Sequence, residues 1–206
     1  IQLYNRGLNI QPIYIVDPSR KSHKKEIETI YLLSKLIPEK FGNTKGEILP
    51  VELVNRDEIK KYPLLKIIFQ LLRKFGKKKN GKQYYWIACL SHERKINLEQ
   101  CFIKVNRNSL IPLNQTTEII DETGNKNWIV NSKKMRFFKR QVFKNMRFPL
   151  IYISKIEMKD FAEKNNFLDL MNTTWFCHRS EKLPCGECAP CKQYIIDGFE
   201  DRVNIK

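Results

Sequence analysis

Ile10-Gln11-Pro12-Ile13-Tyr14-Ile15-Val16-Asp17-Pro18 is apolar, rich in β-branched residues and closed by proline, and its reading decides the fold. Bounded by Gly7 and Pro18, residues 10–16 predict a buried strand. A helix follows: Ser22 stands at a cap position, and Ile27, Ile30, Tyr31, Leu33, Leu36 and Ile37 form one apolar side that ends near Pro38 to Gly42. Ile48-Leu49-Pro50-Val51-Glu52-Leu53-Val54 predicts a second strand, with Pro50 marking a sheet edge or an irregular start. From Asp57 a second helix is expected through Leu64, Ile67, Ile68, Leu71 and Leu72 to Gly76, its regular part delayed by Pro63. Asn80-Gly81 then turns the chain into a third expected strand, Tyr84-Tyr85-Trp86-Ile87-Ala88-Cys89-Leu90. Strand, helix, strand, helix, strand at this spacing predicts an α/β fold on a parallel sheet.

Residues 91–131 read as an irregular insertion, with short strands at Cys101 to Val105 and Trp128 to Val130 and loops at Asn114 to Thr117 and Asp121 to Asn127. Lys133 to Met146 has the pattern of a basic amphipathic helix. Ser154-Lys155-Ile156-Glu157 is a capping box, which starts a helix running to the neighbourhood of Lys164. The expected organisation is an α/β domain over residues 1–150 and a helical segment with a cysteine module over 151–206.

With 206 residues, 42% hydrophobic and 11% aromatic, the chain can bury a sizeable core and needs no cysteines to replace one. Its apolar runs, such as Pro12 to Val16 and Leu64 to Leu72, are too short or too interrupted by charge to span a bilayer. Ile1 to Gly7 carries no signal-peptide pattern, so a cytoplasmic, reducing compartment is expected, with thiolates rather than disulfides. The net charge of +16 asks for a polyanion: nucleotide phosphates, nucleic acid or an acidic protein. The lysines are spread through Lys21 to Lys25, Lys74 to Lys82, Lys133 to Lys144 and Lys155 to Lys164, which places solvated helix faces ahead of nucleic-acid binding as their reading.

Four of the six cysteines fall in one pattern, Cys177-x7-Cys185-x2-Cys188-x2-Cys191. Closely spaced Cys-x2-Cys thiolates wrap a tetrahedral ion, and a fourth thiolate from a preceding loop closes the shell. Gly186 frees the backbone where it folds tightly, and Pro184 and Pro190 stiffen the flanks. Four sulfurs leave no open position, so a zinc here is structural; an iron–sulfur cluster and redox dithiols are the rivals. His178 is an alternative ligand or a surface or substrate-facing group, while Cys89 and Cys101 read as small core residues. Val16, Asp17, Arg20 and His23 stand at or just beyond the C-terminal end of the first strand, where open α/β sheets bind ligands. Asp17 suits a ribose or Mg²⁺, or simply a turn before Pro18. Lys155 near a helix start is electrostatically unfavourable unless an anion faces it.

Thr174-Trp175-Phe176-Cys177-His178, then Pro184-Cys185-Gly186-Glu187-Cys188 and Cys191, with Gly198-Phe199 on the helix beyond, resembles the C-terminal zinc module of the 7-cyano-7-deazaguanine synthase family. Members typically read T-W-S-C-Y and P-C-G-x-C-x-x-C. Pro149-Leu150 followed by Ser154-Lys155-Ile156-Glu157 is similar to the family's P-L-(x)n-[ST]-K-x-E segment, and Asp17, Arg20, His23, Lys24, Lys25 and Glu26 to its F-D-Y-G-Q-R-H-x-x-E stretch. The resemblance covers residues 8–35 and 147–200; the family's R-N-x-x-F and acidic loop signatures are not evident between residues 57 and 110.

The resemblance implies a PP-loop ATP pyrophosphatase fold, of the adenine nucleotide alpha hydrolase-like type, with ATP, Mg²⁺ and a structural zinc as cofactors. It implies adenylation of the carboxylate of 7-carboxy-7-deazaguanine and attack by ammonia or another nitrogen nucleophile. Lys155 then faces phosphate or acyl-adenylate charge, while Val16, Asp17, Arg20, His23, Phe176 and His178 bind nucleotide or substrate. The family's S-G-G-x-D-S phosphate loop precedes its first helix, and Ile1 to Arg6 reads as the last turns of that helix, which places the loop upstream. Phe176 and His178 replace the family's Ser and Tyr, and with the basic surplus they resemble divergent members from antiphage defence, in some of which the acceptor is a protein amine. The alternatives are a non-catalytic partner-binding subunit of a defence complex and a tRNA-modifying PP-loop enzyme.

Overall fold

The computed structural model describes residues 1–42, 46–75, 81–101, 111 and 113–203. A single helical turn, α1 (Gln2–Asn5), is followed by two short strands, β1 (Asn9–Ile10) and β2 (Ile13–Val16). Helix α2 (His23–Phe41) then leads to β3 (Glu47–Ile48) and β4 (Glu52–Asn55). Each predicted strand is thus cut in two at its proline, Pro12 or Pro50, because a residue without an N–H cannot carry a ladder through. Pairing is parallel on both sides of the cut: Ile10 opposes Ile48, and Ile13 to Val16 oppose Glu52 to Asn55. The carboxamide of Gln11 bridges the gap by donating to the Pro50 carbonyl at 2.8 Å.

A 3₁₀ turn (Arg56–Glu58) precedes α3 (Pro63–Phe75), in which Pro63 takes the first position, where a missing N–H costs nothing. The expected third strand is a correction: Tyr84 to Leu90 lies inside helix α4 (Gln83–Arg94). Its buried residues Tyr85, Ala88 and Cys89 recur at helical spacing, only Ile87 among the seven is β-branched, and Ala88 and Leu90 favour helix. The parallel pairing is therefore confined to two-stranded pieces, and the architecture is α/β with small parallel sheets. Then come β5 (Leu98–Glu99), a 3₁₀ turn (Leu113–Gln115), the antiparallel hairpin β6 (Thr116–Ile120) and β7 (Lys126–Val130), α5 (Phe137–Phe143), and β8 (Met146–Arg147), which pairs parallel with β5. Helix α5 is half the length expected of Lys133 to Met146, and part of the expected loop Asn114 to Thr117 joins β6. Cys101 is exposed rather than core, and the rest of the strand expected there lies outside the described residues.

The last helices are α6 (Lys155–Lys164), α7 (Leu168–Asn172) and α8 (Ala189–Ile196). The capping box forms as expected: the Glu157 N–H donates to Ser154 Oγ at 3.2 Å, and the Ser154 N–H to Glu157 Oε2 at 2.7 Å. Gly198 and Phe199 lie past the end of α8, not on it; Gly198 takes a positive φ of 79° there.

Packing groups Ile1–Arg56 with the residues from Met158 onward as one compact unit, and Asp57–Glu157 as another. In the first unit Tyr4, Ile37, Ala162, Phe167 and Leu170 share a core, so the ends of the chain fold together. Each large side chain buried there contributes about 1.5–3 kcal/mol. Tyr4 donates to the Gly42 carbonyl at 2.7 Å, and Lys40 pairs with Asp169 at 2.6 Å. Gly46 is required by space, since a Cβ there would sit 2.6 Å from the Leu8 carbonyl oxygen. In the second unit the buried residues include Leu65, Ile68 and Phe69 of α3, Ala88, Cys89 and Leu90 of α4, and Val142 and Phe143 of α5. Leu64, Ile67 and Leu71 of α3 are exposed. Among the described residues no helix is long and apolar enough to cross a membrane.

Candidate functional site

Cys177 and Cys185 lie on the loop between α7 and α8, Cys188 at the N-cap of α8 and Cys191 inside it. The four sulfurs lie within 4.8 Å of one another, with Cys188 Sγ 3.3 Å from Cys191 and 4.0 Å from Cys177, and Cys185 Sγ 4.0 Å from Cys191. A tetrahedral ion with sulfur at about 2.3 Å sets its ligands about 3.8 Å apart, which these separations straddle, and a disulfide at about 2.05 Å is ruled out. Backbone N–H groups support the sulfurs: Arg179 and Cys185 donate to Cys177 Sγ, and Cys188 donates to Cys185 Sγ, each at 3.4 Å. Gly186 takes the left-handed φ of 72° that the knuckle needs. Cys177, Cys188 and Cys191 are buried.

Burial pushes the Cys185 thiol up, but N–H groups of Glu187 and Cys188 and the neighbouring thiols outweigh it and bring it to about 7. Burial and the adjoining Cys188 push Cys191 up to about 12. Three sulfurs crowded out of water are poor company for one another as thiols, and a dication that replaces their protons resolves the conflict. The four residues fit a four-coordinate metal ion such as zinc, and they leave no position open for substrate.

A second set of contacts holds this module, and the sequence did not disclose it. Phe176 stacks on Tyr194 with ring centroids 3.7 Å apart, and the Arg202 guanidinium lies 5.3 Å from the first ring and 5.4 Å from the second. Arg202 also donates to the carbonyls of Asn172 at 2.9 Å and Thr174 at 2.7 Å, the residues that lead into Cys177. The Trp175 indole donates to the Cys177 carbonyl at 2.9 Å. Phe176 is therefore packed into the module's own core.

Beyond the end of β2 the chain turns on Asp17, whose carboxylate accepts from the Ser19 N–H and hydroxyl and pairs with Arg56 at 2.6 Å. Burial raises the Asp17 pKa, yet Ser19 and Arg56 outweigh it and hold the carboxyl below its ordinary value. Val16 closes the strand opposite Asn55. Glu26 on the first turns of α2 is a hub: Tyr14 donates to it at 2.9 Å, the fully buried Ser22 at 2.6 Å, and Arg20 Nε lies 2.9 Å away. Ser22 thus spends its hydroxyl on Glu26 rather than on a helix N–H. Burial, then the Glu26 charge, raises the Tyr14 phenol. His23 Nδ1 is 2.8 Å from the Arg20 carbonyl.

His178 follows Cys177 on the cysteine loop. It is exposed at the surface, but desolvation of its inner side and then the Arg20 charge hold its pKa below the ordinary value, with Glu26 pulling the other way. Asp17, Arg20 and His23 follow the carboxyl end of β2, which pairs parallel with β4, and His178 belongs to the same unit. Lys155 opens α6 and belongs to the unit Asp57–Glu157. Glu26 and Arg202 are the residues whose weight the sequence underplayed; the Arg20-x5-Glu26 spacing at a helix start was the available signal for the first. No family model, curated protein or solved structure matches this chain.

Proposed function

We propose that this protein is an ATP-dependent carbon–nitrogen ligase of the 7-cyano-7-deazaguanine synthase type, stapled by a structural zinc on Cys177, Cys185, Cys188 and Cys191. The observation that carries the reading is the cluster of the four cysteines, whose spacing is that of the family's zinc module, with the Arg20–Glu26 pair beyond β2 as support. Arg20 and Glu26 stand just beyond β2, at the kind of strand end where α/β sheets receive ligands, and a metal on the four cysteines fixes the loop that carries His178. Zinc supplies rigidity there and no open coordination position.

A carboxylate is a poor electrophile until one of its oxygens becomes a leaving group. Its attack on the α-phosphorus of ATP expels pyrophosphate and forms an acyl-adenylate; a nitrogen nucleophile then displaces AMP and leaves an amide. Arg20 is suited to meeting phosphate or carboxylate oxygens with fixed N–H donors, and Glu26 holds its guanidinium in place. His23 and His178 are the further residues proposed to bind nucleotide or substrate, and Mg²⁺ enters with the nucleotide phosphates. The acceptor is ammonia or, in an antiphage-defence setting, a protein amine.

Pyrophosphate release from ATP tests the reading, measured with 7-carboxy-7-deazaguanine and, separately, with tRNA. Release that requires the deazaguanine, and that falls about 100-fold in Arg20→Ala, is the expected result. Release with tRNA alone would make the protein a tRNA-modifying enzyme, and none with either would make it a partner-binding subunit.

A further inference from the structure

Charge is distributed unevenly between the two units. Asp57–Glu157 holds 22 of the 38 Lys and Arg but 8 of the 22 Asp and Glu, so it carries +14 of the net +16. From Thr123 to Ile156 there are nine basic residues and no acidic one. A surplus of that size opposes the compact state by self-repulsion and has its natural complement in a polyanion.

Helix α5 and the turn before it give the surplus a form. Val142 and Phe143 are buried and Met135 anchors the entry, which leaves Phe137 and Phe138 outward at 57% and 53% exposure. The two rings meet edge to face, centroids 5.7 Å apart. Lys133, Lys134 and Arg136 directly precede them and Lys144 caps the other end of α5, all exposed, and among the described residues no ion pair joins a carboxylate to any of the four. Arg140 lies 5.5 Å from the Phe137 ring and donates to the Ser132 carbonyl at 2.9 Å, which steadies the platform.

We infer that Phe137 and Phe138, with Lys133, Lys134, Arg136 and Lys144, form a binding face for single-stranded nucleic acid. Cations take the phosphates, and the exposed rings take unpaired bases, whose π-faces are available only when a strand is unpaired. A duplex hides those faces. A lipid surface calls for a longer apolar stripe than the seven residues of α5 provide. This inference stands apart from the ligase reading, since binding is measured without ATP.

The test is fluorescence anisotropy of the zinc-loaded full chain with a labelled oligouridine of about 20 nucleotides, between about 50 and about 200 mM KCl. Phe137→Ala with Phe138→Ala should weaken binding at least about tenfold. Lys133→Ala, Lys134→Ala and Arg136→Ala together should lower the steepness of log K against log salt by about 2, at about 0.7 per phosphate contact. Lys35→Ala, Lys159→Ala and Lys164→Ala, which remove the same charge from the other unit, should leave both quantities unchanged. Circular dichroism and zinc content check that every variant is folded. Equal loss in the two triple variants, equal affinity for a duplex of the same length, or binding to phosphatidylserine vesicles but not to the oligonucleotide would each overturn the inference.

Discussion

Phe176 lies flat on Tyr194, the planes 7° from parallel, and Arg202 caps the pair while gripping the chain that leads into Cys177. Three remote parts of the cysteine module are therefore tied by one guanidinium, and zinc retention should depend on it. Arg202→Ala should cost about 2–4 kcal/mol in urea unfolding and speed zinc loss to a chelator. Arg202→Lys should not restore either, because an ammonium cannot serve diverging carbonyls and two ring faces at once.

Metal analysis of the purified protein should find one zinc per chain. Cys177→Ser or Cys191→Ser, each at a fully buried position, should abolish it and expose the module to proteolysis. Stoichiometric iron, or reduced thiols with no metal, would contradict a zinc site.

The hairpin of β6 and β7 turns on Asp121, which accepts from the Thr123 N–H at 2.9 Å and hydroxyl at 2.7 Å, the Asn125 N–H at 2.8 Å and the Asn127 carboxamide at 3.0 Å. Burial pushes its carboxyl up, but these donors prevail and bring it from 3.8 to about 2. A folded pKa below the unfolded one gives stability that is present above 3.8 and is lost as pH falls through about 2. Asp121→Asn should thus lose on the order of 1 kcal/mol at neutral pH, discounted for solvent screening, and flatten the acid limb of a urea-unfolding series.

Two glycines should respond differently to alanine. At Gly46 the new Cβ would meet the Leu8 and Tyr4 carbonyl oxygens at 2.6 and 2.7 Å, and Gly46→Ala should cost about 3 kcal/mol. At Gly42, with φ of 82° and open space, Gly42→Ala should cost about 1 kcal/mol, for backbone strain alone. Paired thermal melts check the order.

What was legible in the sequence was local. The capping box at Ser154 and Glu157, the helix after Ser22 and the cysteine spacing each depend on a few neighbouring residues, and each formed. Tyr84 to Leu90 misled because its aromatic residues favour strands while its buried positions repeat at helical spacing. Pro12 and Pro50 were visible, but their effect, two short parallel pairs in place of one ladder, depends on each strand meeting the other. The fold-back of Ala162, Phe167 and Leu170 onto Tyr4, and the grip of Arg202 on Thr174, join residues too far apart for any periodicity to record.

Isotope exchange between labelled pyrophosphate and ATP tests the ligase proposal most directly, because label returns to ATP only by reversal of an adenylation step. The zinc-loaded protein should exchange label when 7-carboxy-7-deazaguanine is present, should not do so in its absence, and should lose the exchange in Arg20→Ala. No exchange by folded, zinc-loaded protein with the carboxylate present would contradict the proposal.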